Sequence, residues 1–165
     1  MRWIFVDKFV ELKKSKYARA IKNVSLGEDH LHDHFPGYPV MPASLIIESM
    51  AQTGGVLAGY ARDFKRMVIL AKIESAVFYD TVTPGDQLVL EAEMVEDRDE
   101  GCRVRGKATV NGKVVAEASL MFVNLNSSDV DMMAGENFVF TREFLSLLGV
   151  DKLIGGFSDE EVAHS

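Results

Sequence analysis

Apolar and polar residues alternate one by one along the second half of the chain, which is the period of half-buried β-strands. Residues 67–80, 86–97, 102–110 and 114–123 form four such runs. Asn111 and Gly112 separate the last two runs, and an Asn-Gly pair in this setting is a strong hairpin signal. We therefore predict an antiparallel meander. The side chains predicted to face the core are Cys102, Val104, Gly106, Ala108 and Val110 in one strand and Val114, Ala116, Ala118, Leu120 and Phe122 in the next.

The first half of the chain has a different pattern. Residues 3–13 and 17–24 are rich in β-branched and aromatic side chains and predict two strands. Gly, Pro, His and Asp then accumulate over residues 25–41, which is typical of a loop. Residues 42–60 begin with a proline and carry almost no charge, so they predict one helix that is buried on most sides.

This order of elements predicts an α+β fold in which one long helix packs against a curved antiparallel sheet. We expect residues 1–125 to form this domain and residues 126–165 to be a C-terminal extension. A short helix is predicted in the extension, with Thr141 as its N-cap and Gly149 at its C-terminal end.

Charge and composition exclude several classes of protein. The net charge of −7 argues against nucleic acid as a partner, because phosphate binding needs concentrated Lys and Arg. No apolar run approaches the roughly 20 residues that span a bilayer, and the N-terminus does not resemble a secretory signal. Cys102 is the only cysteine, so no internal disulfide can form, which fits a reducing cytoplasm.

Two titratable residues stand out as candidates for acid–base chemistry. His34 lies in the Pro/Gly-rich loop, and histidine can accept a proton near neutral pH. Glu48 lies in the predicted helix, where its neighbours Leu45, Ile47 and Met50 are apolar. Burial disfavours the charged form of a carboxyl group, so Glu48 is expected to stay protonated and to serve as an acid.

The segment that contains both residues, HFPGYPVMPASLIIESMAQ (34–52), resembles the active-site signature of the FabZ-type 3-hydroxyacyl-acyl-carrier-protein dehydratases. YARAIKNVS, TPGDQL and NGKVVAEASLMF are similar to further segments of the same family, so the resemblance covers roughly residues 4–123. It implies the hotdog fold and the removal of water from a (3R)-3-hydroxyacyl thioester to give the trans-2-enoyl thioester in fatty acid biosynthesis. We expect no cofactor and no metal.

The resemblance also implies a homodimer in which His34 of one subunit faces Glu48 of the other. Such dimers often assemble further into a trimer of dimers, and the choice between dimer and hexamer stays open. His34 is expected to be the base at C2, and Glu48 is expected to protonate or orient the leaving hydroxyl. Which of the two delivers the proton stays open. The backbone N–H groups of Gly37 and Ala43 are candidates for binding the thioester oxygen, the second of them at a helix N-terminus.

Other features of the sequence leave alternatives open. The side chains Phe35, Met41, Leu45 and Tyr79 are candidates to line an acyl tunnel, or each is an ordinary core residue. The substrate carrier is acyl carrier protein or coenzyme A. Where the family has a basic segment before TPGDQL, this chain reads FYDT, Phe78 to Thr81.

His30, His32 and His34 alternate, which allows a metal site if the segment is extended, although solvated side chains at positions 30 and 32 are favoured. Arg103, Arg105 and Lys107 share the outer face of a strand, either as a docking patch for an acidic carrier or as cross-strand partners of Glu91, Glu93 and Glu117. Cys102 is expected to be an inert core thiol. The alternative functions are a hotdog thioesterase and a non-catalytic acyl-binding subunit.

Overall fold

The computed structural model describes residues 4–125 and 140–156. In these residues one long helix packs against a six-stranded antiparallel sheet, which confirms the α+β hotdog fold. The strands are β1 (Lys8–Lys13), β2 (Tyr17–Asn23), β3 (Met67–Phe78), β4 (Gln87–Arg98), β5 (Gly101–Val110) and β6 (Lys113–Leu125). The helices are α1 (Ala43–Ala61), α2 (Arg142–Leu147) and α3 (Val150–Ile154), and a 3₁₀ turn covers Asp29–Leu31.

The order of the strands across the sheet is β1-β2-β4-β5-β6-β3, so the predicted four-stranded meander is wrong for its first strand. Strand β3 pairs with β6 at one edge of the sheet, and β4 pairs with β2. The turn before β4 explains this arrangement, since Gly85 donates to the carbonyl of Val24 (2.9 Å) and Val24 donates to that of Asp86 (3.0 Å). These bonds start β4 beside the end of β2, a contact that alternation alone does not specify.

Small residues allow α1 to approach the concave face of the sheet closely. A methyl group on Gly54 would lie 3.2 Å from the side chains of Phe122 and Val104, and one on Gly106 would lie 3.1 Å from the sulfur of Met50. Larger side chains at these two glycines would therefore push the helix away from the sheet. This close packing explains why the middle of α1 is buried, as predicted.

Most of the side chains predicted to face the core are buried there. In β6 the prediction holds for Ala116, Ala118, Leu120 and Phe122, and it is wrong for the first residue of the set, Val114. The pairing of β5 with β6 shifts by one residue between Ala108 and Thr109, so that Val115 is buried instead. The predicted strand 3–13 is also shorter than expected, since β1 begins at Lys8.

The predicted C-terminal helix is confirmed as α2. The hydroxyl of Thr141 accepts a hydrogen bond from the N–H of Phe144 (3.3 Å), and Gly149 ends the helix with a φ of 73°. The carbonyl of Leu148 accepts a hydrogen bond from the N–H of Phe9 on the outer edge of β1 (2.9 Å). Residues 140–156 therefore cover that edge of the sheet.

Phe140 joins this C-terminal segment to the end of α1. Its ring centroid lies 5.6 Å from that of Phe64, and a methyl group on Gly59 would lie 2.9 Å from the Phe140 ring. The absence of a side chain at Gly59 thus makes room for the ring. No helix within residues 4–125 and 140–156 has the length and apolar character needed to cross a membrane.

Candidate active site

Backbone hydrogen bonds hold the loop that carries His34. Phe35 and Tyr38 each donate their N–H to the carbonyl of the other (3.0 and 2.9 Å). The N–H of Val40 donates to the carbonyl of His34 (2.9 Å), and the N–H of Met41 donates to that of Val82 (2.7 Å). The loop is thus closed on itself and tied to the segment before β4, which positions His34 just before α1.

The hydrogen bond of the His34 ring determines which of its nitrogens can act as a base. Nδ1 lies 3.0 Å from the carbonyl oxygen of Val40. A carbonyl oxygen can only accept, so Nδ1 must carry the hydrogen and Nε2 of the neutral ring has the free lone pair. The ring also stacks on Phe35, with a centroid separation of 4.2 Å. Both contacts restrict the direction in which Nε2 points.

Glu48 lies in the second turn of α1, where its side chain is half-buried. Its Oε1 accepts a hydrogen bond from Nε2 of Gln52 (2.9 Å), which lies one helical turn further along. Oε1 of Gln52 in turn accepts from the backbone N–H of Phe5 (2.8 Å). The carboxyl group is therefore held by a fixed donor.

The two oxyanion candidates lie on the same loop–helix segment. Gly37 has a φ of 74°, which favours glycine, and Ala43 is the first residue of α1. The amide of a first helical residue has no partner within its helix. Among the described residues, neither N–H donates to a protein acceptor, and both residues are exposed. Both amides are thus available to a ligand in this chain.

The four tunnel candidates lie in different surroundings. Met41 is in the core with 4% of its surface exposed, whereas Phe35 and Tyr79 are 54% and 55% exposed. Leu45 is half-buried on α1. The alternative that each is an ordinary core residue is therefore confirmed for Met41 and wrong for Phe35 and Tyr79. The surface position of these two aromatic rings leaves them accessible to a ligand or a second subunit.

The histidines before His34 do not share a face, because the segment forms the 3₁₀ turn rather than an extended strand. His32 is exposed, as predicted, but the prediction of a solvated His30 is wrong. The His30 ring packs edge-on against Phe5 (5.9 Å), Nε2 lies 3.8 Å from Glu28, and burial lowers the pKa of the ring. Within residues 4–125 and 140–156 no three metal-ligating side chains converge.

The outward basic residues of β5 are engaged in ion pairs. These are Lys107 with Glu91 (2.6 Å), Arg105 with Glu93 (3.3 Å), and Arg103 with Glu96 and Glu74 (2.6 and 2.8 Å). The cross-strand alternative is thus confirmed for Glu91 and Glu93. Glu117, the third expected partner, instead accepts a hydrogen bond from the Tyr79 hydroxyl (2.7 Å), which raises the pKa of Tyr79. Cys102 is buried as expected, and burial raises its pKa to about 11.

Residues 3–119 match the family model described as the FabA-like domain. Over 121 residues the chain is 43% identical to the 3-hydroxyacyl-[acyl-carrier-protein] dehydratase FabZ of Halalkalibacterium halodurans, a match that covers 73% of this chain and 86% of that protein. The chain belongs to the FabZ family. The FabZ of Hydrogenobaculum sp. is also 43% identical, over 72% of this chain and 82% of that protein. The dehydratase heterocomplex ApeI:P from Xenorhabdus doucetiae has a TM-score of 0.66 at 15% identity, over 81% of this chain and 90% of that one, which supports the fold.

Gln52 and Phe5 are the site residues of this FabZ-family chain that our reading of the sequence missed. The four-residue spacing of Glu48 and Gln52 on a helix was a usable signal, because such residues are neighbours on its surface. The contribution of Phe5 comes from a backbone N–H, which no side-chain pattern reveals. Only the folded structure brings this amide, 47 residues away in the chain, to Gln52.

Proposed function

We propose that this FabZ-family chain removes water from (3R)-3-hydroxyacyl groups carried by acyl carrier protein and forms trans-2-enoyl thioesters, as in fatty acid biosynthesis. The names of its relatives as 3-hydroxyacyl-[acyl-carrier-protein] dehydratases support this reaction and carrier. The observation that carries the proposal is the Nδ1 hydrogen bond of His34 to Val40, which leaves Nε2 as a base. No cofactor is required for the steps below.

The first step is the removal of a proton from C2 of the substrate by Nε2 of His34. The electrons of the broken C–H bond move toward the thioester carbonyl, whose oxygen gains negative charge. The N–H groups of Gly37 and Ala43 stabilise that charge, and Ala43 is assisted by the partial positive charge of the helix N-terminus.

The second step is the departure of the hydroxyl group from C3. Glu48 donates its proton to this group, which leaves as water, and the electron pair forms the C2–C3 double bond. The carboxylate of Glu48 and the protonated ring of His34 remain, and transfer of one proton from the ring to the carboxylate, through water, restores both groups.

The active site is proposed to form between two subunits of a homodimer, with His34 of one facing Glu48 of the other. The side chains Phe35, Leu45 and Tyr79 would line the acyl tunnel at that boundary, with Met41 beneath them. The exposure of Phe35 and Tyr79 supports a covered position in the assembly. No described element pairs with the outer edge of β3, which supports an edge available to a second copy. We also propose that three such dimers assemble into a hexamer. The proposed location of the protein is the cytoplasm.

Activity is tested by incubating the full chain with (3R)-3-hydroxybutyryl thioesters of acyl carrier protein and of coenzyme A. Enoyl absorbance should rise, and His34→Ala and Glu48→Gln should each lower the rate by about 100-fold or more. His32→Ala, an exposed neighbour in the same segment, is the control and should keep the wild-type rate. Release of free thiol without enoyl product would support a thioesterase, and tight binding without turnover would support a non-catalytic subunit.

Sharing of the site between subunits is tested by mixing two inactive variants. His34→Ala and Glu48→Gln are unfolded together in equal amounts and refolded. If each site takes one residue from each subunit, half of the dimers are mixed and each has one intact site, so about a quarter of the wild-type activity returns. If both residues of a site come from the same chain, the mixture stays inactive and the shared site is refuted.

A further inference from the structure

The amide group of Gln52 lies between a backbone donor and the carboxyl group of Glu48. Its Oε1 is 2.8 Å from the backbone nitrogen of Phe5, and its Nε2 is 2.9 Å from Oε1 of Glu48. The oxygen and nitrogen of such an amide are told apart by their partners. A backbone N–H can only donate, so the amide oxygen must face Phe5 and the amide NH₂ must face Glu48.

Phe5 is well placed to impose this orientation, because its own position is fixed. Its side chain is buried, and its ring packs edge-on against His30 at a centroid distance of 5.9 Å and an interplanar angle of 69°. Two residues later, the N–H of Asp7 donates to the carbonyl of Ile21 (2.8 Å). The N-terminal segment is thus held by the ring of the donor residue itself and by a backbone hydrogen bond two residues later.

The orientation of Gln52 determines where the carboxyl group of Glu48 can carry its proton. Oε1 of Glu48 accepts a hydrogen bond from an NH₂ group, so it must act as the acceptor oxygen whether or not the group is protonated. The hydrogen of the acid form then lies on Oε2. With the amide reversed, its NH₂ would oppose the Phe5 N–H and its oxygen would accept the Glu48 proton, which would keep that proton from the substrate.

We propose that Phe5, through its backbone N–H, is a positioning residue that orients Gln52 and so places the acidic proton of Glu48 on Oε2. This inference rests on the proposed function, since it names the oxygen that delivers the proton to the leaving hydroxyl. It deepens the role of Glu48 and adds the N-terminal segment to the parts of the chain on which the proton transfer depends.

The test removes the N–H of Phe5 without changing its ring, by replacing the backbone amide at this position with an ester in the full chain. The same ester at Val10, an exposed residue of β1 that has no part in the site, is the matched control. We expect the ester to lower kcat about tenfold with KM changed less than about twofold, since Gln52 loses the bond that holds its NH₂ group toward the proton-donating carboxyl group of Glu48. The ester at Val10 should stay within about threefold of the wild-type kcat.

Gln52→Leu separates positioning from a general loss of structure. If the N–H acts through Gln52, adding the ester to this variant should lower kcat by less than about twofold, because the amide that it orients is already gone. Unchanged kcat in the ester, or losses that multiply in the doubly modified protein, would overturn the proposal. A merely structural effect would lower the melting temperature and would be as large in the doubly modified protein as in the ester alone.

A second readout distinguishes failure of this inference from failure of the proposed function. The side-chain NH₂ group of Gln52 is followed by NMR in ¹⁵N-labelled protein, and its signals are assigned by their loss in Gln52→Leu. The ester should make these hydrogens exchange faster with solvent, because the bond that holds the NH₂ group toward Glu48 is lost. If the unmodified protein has no dehydratase activity, the proposed function fails. An exchange rate of the Gln52 NH₂ group that the ester leaves unchanged overturns the positioning role in either case.

Discussion

Replacing Phe140 by alanine removes the ring that joins residues 140–156 to the end of α1. Only 4% of the Phe140 surface is exposed, and its ring packs beside that of Phe64. Buried Phe→Ala changes cost about 3–5 kcal/mol, more where the surroundings cannot collapse into the cavity. Gly55 and Gly59 face the ring and have no side chains to fill the space. We therefore expect a loss of about 4 kcal/mol in the free energy of unfolding.

Leu147→Ala is the matched control for this substitution, because Leu147 lies in the same segment and is 68% exposed. It should change the free energy of unfolding by less than about 0.5 kcal/mol. Urea unfolding followed by circular dichroism measures both variants, at one fixed protein concentration because assembly affects apparent stability. If Phe140→Ala costs less than about 1 kcal/mol, the C-terminal segment is not part of the core and the reasoning is refuted.

Gly59→Ala adds a second test of the same contact. The new methyl group would lie 2.9 Å from the Phe140 ring and 3.0 Å from the Phe64 ring. Overpacking costs about 1–3 kcal/mol, against a gain of about 1 kcal/mol from the better helix propensity of alanine. In a protein that also carries Phe140→Ala, the methyl group of Gly59→Ala lies close to the Phe64 ring alone. The effect of Gly59→Ala on the free energy of unfolding should then become neutral or stabilising. Strict additivity of the two changes would show that they do not share a cavity.

Three further predictions concern titration and reactivity. Burial and the hydrogen bond to Glu91 raise the pKa of Tyr17 to about 12. Tyr17 should therefore be the last tyrosine to ionise in an absorbance titration, and this last step of the curve should be absent in Tyr17→Phe. Burial lowers the pKa of His30 below 6.5, so the folded protein binds fewer protons than the unfolded chain and loses stability as the pH falls through and below about 6.5. The melting temperature of His30→Phe should therefore fall less than that of the wild type between about pH 7 and about pH 5. Cys102 should react with a thiol reagent at about pH 8 only after unfolding, because burial raises its pKa to about 11; rapid reaction of the native protein would contradict this.

Local patterns were sufficient to predict the elements of this fold, because strand and helix periods are properties of consecutive residues. The hairpin at Asn111 and Gly112 follows in the same way from turn chemistry. The pairing of β4 with β2 rather than with β3 does not follow in this way, since it depends on bonds between Val24 and the turn at residues 85–86. A one-residue shift in pairing likewise buries Val115 rather than Val114, and alternation within a single strand carries no information about such a shift.

The sequence predicts those parts of the candidate site that depend on the chemistry of side chains. His34 and Glu48 are identified by residue type, neighbours and spacing. The hydrogen bond that gives His34 its tautomer runs to a backbone carbonyl, and the one that orients Gln52 comes from a backbone amide. Every residue except proline has these groups, so their use at one position leaves no trace in the sequence. Burial of His30 also depends on a distant residue, Phe5.

The hydrogen bond between Phe9 and Leu148 has a consequence for synthesis of the chain on the ribosome. Among residues 4–125 and 140–156, the outer edge of β1 gains its backbone partner only after Leu148 has been made. At about 5–20 residues per second, the interval between these two residues lasts roughly 7–28 s. During that time an unpaired strand edge near the start of the nascent chain is open to strands of other chains. Aggregation during translation should therefore depend on elongation rate and on chaperones that bind early, even when the finished protein is stable.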